Sequence, residues 1–459
     1  MRSDGVLPYE FVEDQSKSQL TGHAGLLPYL DLACALGLLK AVDEKVGVCG
    51  RQGWMDRHHI LSLILLNLAG GDCVDDIRTL ESDAGLCRVF RDAQEYGLER
   101  AQRRELEKRF RKGRTRTFPS PTRLYEYLDE FHNEPEEAKR LEGKAFIPAK
   151  NSHLTGLGLV NTALLASVQL HAVQKEATLD IDATLAETTK REALFCYEGY
   201  RAYQPLTVYW AETSLAVLSE FRDGNVPAGY DMPRIVKESL EALPSGVERV
   251  RLRMDSAGYQ HDALKFCATG DGGKRDVIEF TVSNDMTAEF RSAAMEVPES
   301  EWRPLYRLER GKQVESGQEW AEVVYVPNAI AFAKDAPAYR YLAIRESVRQ
   351  GTLPGMEDTQ AQMDLAGGCL PSGKFGANAA WWGIMLLAFN LHAAMRLLAL
   401  PGGLKKKRLK AIRFALIDTP ARVVDHSRQL FVRLARGHPA TRWLPEMRRT
   451  IRGLAISPA

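Results

Sequence analysis

The stretch Leu179 to Lys190 reads Leu-Asp-Ile-Asp-Ala-Thr-Leu-Ala-Glu-Thr-Thr-Lys and constrains the fold more than any other part of the chain. Strand alternation puts Asp180 and Asp182 on one face and Leu179, Ile181 and Ala183 on the other. Two like charges side by side on a strand repel, so folding alone gives little reason for them. A bound divalent cation gives a reason. Val247 to Ser256 is a second strand of the same kind, with Val250, Leu252 and Met254 on one face and Arg249, Arg251, Arg253 and Asp255 on the other. Asp255 ends that strand, and ligands of open α/β sheets collect at such carboxyl ends.

The segments between these two strands define a topology. Glu176 to Ala183, Tyr203 to Glu212 and Leu215 to Arg222 read as strands, Asp223-Gly224-Asn225 as a turn, and Pro233 to Leu243 as a helix closed by Pro244-Ser245-Gly246. Val277 to Ser283 is one more strand. Three strands in hairpin order, a helix and a fourth strand beside the first place Asp182 and Asp255 at the centre of one mixed sheet. This is an α/β, ribonuclease H-like core, in which adjacent strands each deliver a carboxylate to a pair of metal ions. Two Mg2+ or Mn2+ ions about 3.5–4 Å apart activate a water or 3′-hydroxyl and stabilise the leaving oxygen of a phosphoryl displacement.

The 459 residues exceed one hydrophobic core. We expect a helical N-terminal DNA-binding region over 1–150, the first part of the core over 151–285, a β-rich insertion over 286–360 with strands at Glu322 to Val326 and Arg340 to Ile344, and C-terminal helices with a basic tail over 361–459. Residues 18–95 read as helices, with Leu61 to Leu68 an apolar interior stopped by Gly70-Gly71. His58-His59 project about 100° apart on a helix, which suits surface or capping residues better than a shared metal. Seven scattered cysteines without a C-x-x-C pair suit reduced thiols, and Met1 to Lys17 has no signal-peptide core, so a cytoplasmic location is expected. Ala377 to Leu400 is interrupted by Asn378, Asn390, His392 and Arg396 and reads as a buried helix rather than a membrane span.

A net charge of +1 neither advertises nor excludes nucleic acid, because phosphate binding depends on where charge sits. Between Glu99 and Arg116 nine cations face three acids, an excess that a phosphate backbone neutralises. The alternative is a solvated helix face. Arg103, Arg104, Arg109 and Arg111 are the candidate DNA contacts there. Lys405 and Lys406, in a Lys-Lys-Lys-Arg run, either grip phosphates or end a helix with favourable charge. Arg222 and Asn225 are candidates beside the acids, although Asp-Gly-Asn is also a plain turn signal. Trp381-Trp382 suit a helix core better than base stacking.

Taken together, Gly25-Leu26-Leu27-Pro28, Leu68 to Asp72 with Asp75-Asp76, Asp182-Ala183-Thr184, Tyr197-Glu198-Gly199-Tyr200, Tyr203-Gln204-Pro205-Leu206, Arg222 to Asn225, Leu252 to Ser256, and Ala377 to Trp382 with Phe389-Asn390-Leu391 resemble the DDE transposases of bacterial insertion sequences, the branch called transposase DDE domain group 1. These motifs appear in order over nearly the whole chain. The resemblance implies binding of double-stranded DNA at terminal inverted repeats, nicking at the element's ends and joining of the freed 3′-hydroxyls to target DNA, by a dimer assembled on DNA. Asp182 then takes the role of first acid and Asp255 the second, both as metal ligands, with Asp180 an accessory charge. The family's third acid is a glutamate on a helix just ahead of the segment matching Asp364 to Gly368. Here Gly355 to Met363 shows no such helix, which reads as loss of the segment that carries the third acid and truncation of the insertion, and Glu357 and Glu346 are the nearby glutamates. A degenerate copy that only binds DNA, and a metal-dependent nuclease without strand transfer, are the competing readings.

Overall fold

The computed structural model describes residues 19–110, 113–270, 278–309, 312–327, 339–346, 365, 369–426 and 429–456. The chain divides into two compact units, one of residues 1–133, 150–172 and 364–459, the other of 134–149 and 173–363. Of the four expected segments, the first and last fall largely in the first unit and the middle two largely in the second.

The first unit is helical because its longest segments are apolar on almost every side. The helix Phe375–Leu398 is buried along nearly its whole length, and Leu27–Ala35, Asp56–Ala69, Pro121–Asp129 and Ser152–His171 pack around it. Its polar side chains find partners inside. Asn378 bonds the backbone of Ser372 with both amide atoms, at 3.0 and 2.9 Å. Asn390 Nδ2 donates to Asn161 Oδ1 at 2.6 Å, and the Tyr29 hydroxyl meets His392 Nδ1 at 2.8 Å. Phe375–Leu398 and Ser152–His171 have the length and apolarity to cross a membrane, but in Phe375–Leu398 that apolarity is used in the unit's core, where Trp381 and Trp382 are buried.

The helix Asp56–Ala69 starts with His58 Nδ1 accepting from the Met55 N–H at 2.9 Å and stops at Gly70, whose φ of +91° glycine adopts without a Cβ penalty. Its last carbonyls, of Asn67 and Leu68, accept from the Arg413 guanidinium at 2.8 and 2.9 Å. His58 is therefore a cap, but neither histidine lies on the surface: both are buried, and His59 stacks on Tyr127 with centroids 4.2 Å apart. A three-stranded antiparallel sheet of Gln19–Thr21, Ala421–His426 and Gln429–Leu434 also belongs to this unit.

The second unit is built on five strands, numbered along the chain: β1 (Glu176–Ala183), β2 (Leu206–Trp210), β3 (Leu215–Glu220), β4 (Arg249–Met254) and β5 (Glu279–Val282). Their order in the sheet is β3-β2-β1-β4-β5. β1, β2 and β3 are antiparallel neighbours, whereas β4 runs parallel to β1 and β5 parallel to β4. Parallel neighbours require crossovers, and the helices Met232–Ala242 and His261–Thr269 lie in them. Leu179, Ile181, Val250, Leu252 and Met254 are buried on one side of the sheet, which leaves the charged alternation on the other.

A second antiparallel sheet of β6 (Arg303–Glu309), β7 (Lys312–Val323) and β8 (Tyr341–Glu346) follows in the order β8-β7-β6. The expected strand at Arg340 to Ile344 corresponds to β8, whereas the expected strand at Glu322 to Val326 overlaps only the last two residues of β7, and β6 and most of β7 were not expected. The Tyr341 hydroxyl lies 3.1 Å from that of Tyr259, which ties this sheet to the loop after β4.

Candidate active site

The parallel register of β1 and β4 sets Glu176 beside Arg249, Thr178 beside Arg251 and Asp180 beside Arg253. Each acid in this row meets a cation. Arg249 bonds Glu176, Arg251 reaches Glu279 on β5 at 2.7 Å and Glu176 at 3.3 Å, and Arg253 grips both oxygens of Asp180 at 2.5 and 2.6 Å. Exposed pairs of this type stabilise the fold little, because water screens them. Their larger effect is to neutralise the face as far as Asp180, which is one half of an ion pair.

The row ends differently. Ile181 and Met254 form its last register pair, so Asp182 and Asp255 follow side by side at the carboxyl ends of two adjacent parallel strands. Among the described residues no cation pairs with either. Partial burial, and then the Asp255 carboxylate, push the Asp182 carboxyl above its usual range, with Asp180 adding in the same direction and the Ala183 N–H opposing. Asp255 Oδ1 accepts from the Ala257 N–H at 3.1 Å, which fixes the carboxylate at the start of the turn Ser256–Gly258. A Cβ on Gly258 would meet that of Met254 at 2.5 Å, so only glycine lets this turn fold back on its strand.

Two repelling carboxylates without a counter-ion fit a hard divalent cation, which binds through one or two carboxylates and keeps several waters. Among the described residues no three His, Cys, Asp or Glu side chains converge on a point. Glu346 ends β8 opposite Gln318, whose amide donates to it. Glu357 lies outside the described residues, as does Arg111.

Arg222 corrects the sequence reading. It has 0% exposure, and its Nε donates to Glu220 at 2.8 Å while Nη1 reaches the Ala228 carbonyl at 3.1 Å. A guanidinium so enclosed is a strut of the unit and is not presented to a phosphate. Its neighbours are equally structural. Asp223 is buried against Arg140 at 2.7 Å, and burial pushes its carboxyl up to about 6 despite that cation. Asn225 Nδ2 donates to the Lys144 carbonyl at 3.1 Å, so its side chain also serves the fold.

The cationic run between Glu99 and Arg116 divides. On the helix Arg100–Lys108, Arg103 and Arg104 are exposed, although Arg103 Nε also bonds the Leu98 carbonyl at 3.0 Å. Arg109 turns inward and donates to the carbonyls of Gly53, Gly50 and Trp54 at 2.8, 2.6 and 3.2 Å, so it clasps a loop. Arg114 lies 4.7 Å over the Trp54 ring, where burial lowers its guanidinium to about 10. Lys405 and Lys406 are exposed, and Lys405 Nζ bonds the Leu397 carbonyl at 3.3 Å, the helix-ending role. Sequence reasoning missed the cation partner of Asp180. The alternation had already placed Arg253 on the right face, but only the strand register pairs the two.

The fold and site together define a mixed α/β protein in which, among the described residues, an acid pair without a cation stands at the carboxyl ends of two inner strands of the five-stranded sheet. Residues 356–456 match the family described as transposase DDE domain group 1, the same family the motifs resemble. The match covers under a quarter of the chain and does not include Asp182 or Asp255. A solved structure of the piggyBac transposase synaptic complex with hairpin DNA is similar at 11% identity and a TM-score of 0.37, covering 88% of this chain and 83% of that one. No curated protein matches.

Proposed function

We propose that the protein is a DDE-type transposase whose ribonuclease H-like core cleaves DNA at the inverted repeats of an insertion sequence and joins the freed ends to a target. The observation that carries this reading is the pair Asp182 and Asp255, left without a cation among the described residues where every other acid of the row has one. The sheet order and the family match over 356–456 support it. A divalent cation such as Mg2+ or Mn2+, held by Asp182 and Asp255, would supply Lewis acidity for phosphoryl transfer. The chain's own residues prepare that site. Arg253 removes Asp180 from competition for the cation, and the Ala257 N–H orients Asp255.

The test is a cleavage and joining assay on DNA carrying the repeats that flank the coding sequence, with Mg2+ or Mn2+. Wild type should cut and join, whereas Asp182→Asn and Asp255→Asn should shift the DNA in a gel but leave it whole. If wild type and Asp182→Asn are equally inactive yet both bind, the protein is a binding-only copy and the enzymatic reading fails. Cleavage without joined product would make it a nuclease.

A further inference from the structure

From Lys374 to Ile417 the chain contains no Asp or Glu. Within that stretch Lys405, Lys406, Lys407, Arg408 and Lys410 crowd the loop and turn that follow the helix Phe375–Leu398. Among the described residues Lys406, Lys407 and Lys410 take part in no ion pair and are exposed. The turn Leu409–Ile412 then runs into a π-helical turn, Arg413–Ile417, a wide coil that occurs mostly as single turns within helices and is frequent at functional sites.

Packing accounts for most of this segment. Leu409, Ile412, Leu416 and Ile417 are buried, and Arg413 caps the Asp56–Ala69 helix. It does not account for Phe414, whose side chain is 87% exposed and stands about one turn beyond Lys410. A lone exposed apolar residue on a mixed surface needs no explanation. A phenyl ring beside a cluster of lysines, with no acid in the surrounding segment, is a different case, because it joins a phosphate-attracting field to a stacking platform.

We propose that Lys406, Lys407, Lys410 and Phe414 form a contact for a nucleic-acid strand with an unpaired base, in which the lysines meet backbone phosphates and the ring of Phe414 stacks on the base. The strand is unpaired at that point because an intact duplex hides the base faces that a ring needs. An anionic membrane surface also attracts lysines, but an interfacial helix presents a whole apolar face. Here every other large apolar side chain of the turn is buried, which leaves a single ring. The choice of ligand rests on the function proposed above, whereas the surface shares no residue with the acid pair.

The test is fluorescence anisotropy of the full chain with a labelled single-stranded oligonucleotide and with a blunt duplex. Phe414→Ala should weaken single-strand binding by about 5- to 100-fold and duplex binding far less. Lys406→Ala with Lys407→Ala should weaken both and reduce the single-strand salt slope by about 1.4. Phe414→Trp should retain binding, and its added emission should be quenched by the single strand. If wild type binds DNA and none of these variants changes that binding, the inference is wrong and the proposed function stands. If the variants instead lose binding to phosphatidylserine vesicles with DNA binding intact, the surface is a membrane contact and the inference is again wrong. If wild type binds neither DNA, this inference and the function proposed above fall together.

Discussion

Arg222 and Glu220 show what a charged side chain does when it is sealed inside this protein. Glu220 receives Arg222 at 2.8 Å on one oxygen and Arg234 at 2.7 Å on the other. Removing Arg222 leaves Glu220 paired with Arg234 but strips one buried carboxylate oxygen of its hydrogen bond, which costs about 1–3 kcal/mol. Arg222→Ala should therefore lower stability by that amount in urea unfolding while the folded fraction keeps its DNA affinity. Unchanged stability with weakened DNA binding would restore Arg222 as a contact. His23 and Asp83 provide a pH-dependent counterpart at 3.1 Å. The hydrogen bond that His23 donates to Asp83 raises its imidazole above its ordinary value. Burial would raise the Asp83 carboxyl, but bonds from His23, Leu86, Thr21 and Gly22 bring it below its ordinary value. The histidine contribution is thus fully present below about pH 6.5 and is lost as pH rises through the folded value. The aspartate contribution is present above about pH 4 and is lost as pH falls through the folded value. The stability difference between wild type and His23→Gln should therefore be larger at pH 6 than at pH 8 in urea unfolding. An identical pH profile in the variant would contradict this linkage.

At the scale of elements, much of the architecture was legible because one physical signal dominated each segment. Alternation located β1 with its ends correct, and it located β4 and β5 to within a few residues. The end of Asp56–Ala69 was visible in Gly70-Gly71 for the same reason. Register was not legible, because alternation states which face a residue occupies and not which residue sits beside it. Hence alternation alone set Asp180 and Asp182 on one face, the family resemblance made Asp180 the accessory charge, and the register shows Arg253 taking it. The cationic run failed for another reason. Arg104 and Arg109 are the same residue type five positions apart, but Arg109 faces three loop carbonyls contributed from residues 50–54, a tertiary contact that no local pattern encodes. β6 was missed because Arg303–Glu309 alternates weakly and pairs only through β7.

The two units are discontinuous in sequence, but the candidate chemistry lies within one continuous stretch of the second, residues 173–363. The chain passes into the second unit twice, and the sheet there brings together two acids 73 residues apart. Neither Asp182 nor Asp255 has meaning alone. Each lies one step beyond a row of ion pairs, and only the parallel pairing of β1 with β4 makes them neighbours. The central claim is that this pair holds a divalent cation, and electron paramagnetic resonance titration of the full chain with Mn2+ tests it most directly. Wild type should bind Mn2+, and Asp182→Asn and Asp255→Asn should each lose that binding, whereas Asp180→Asn should retain it. Undiminished Mn2+ binding in both Asp182→Asn and Asp255→Asn would contradict the account.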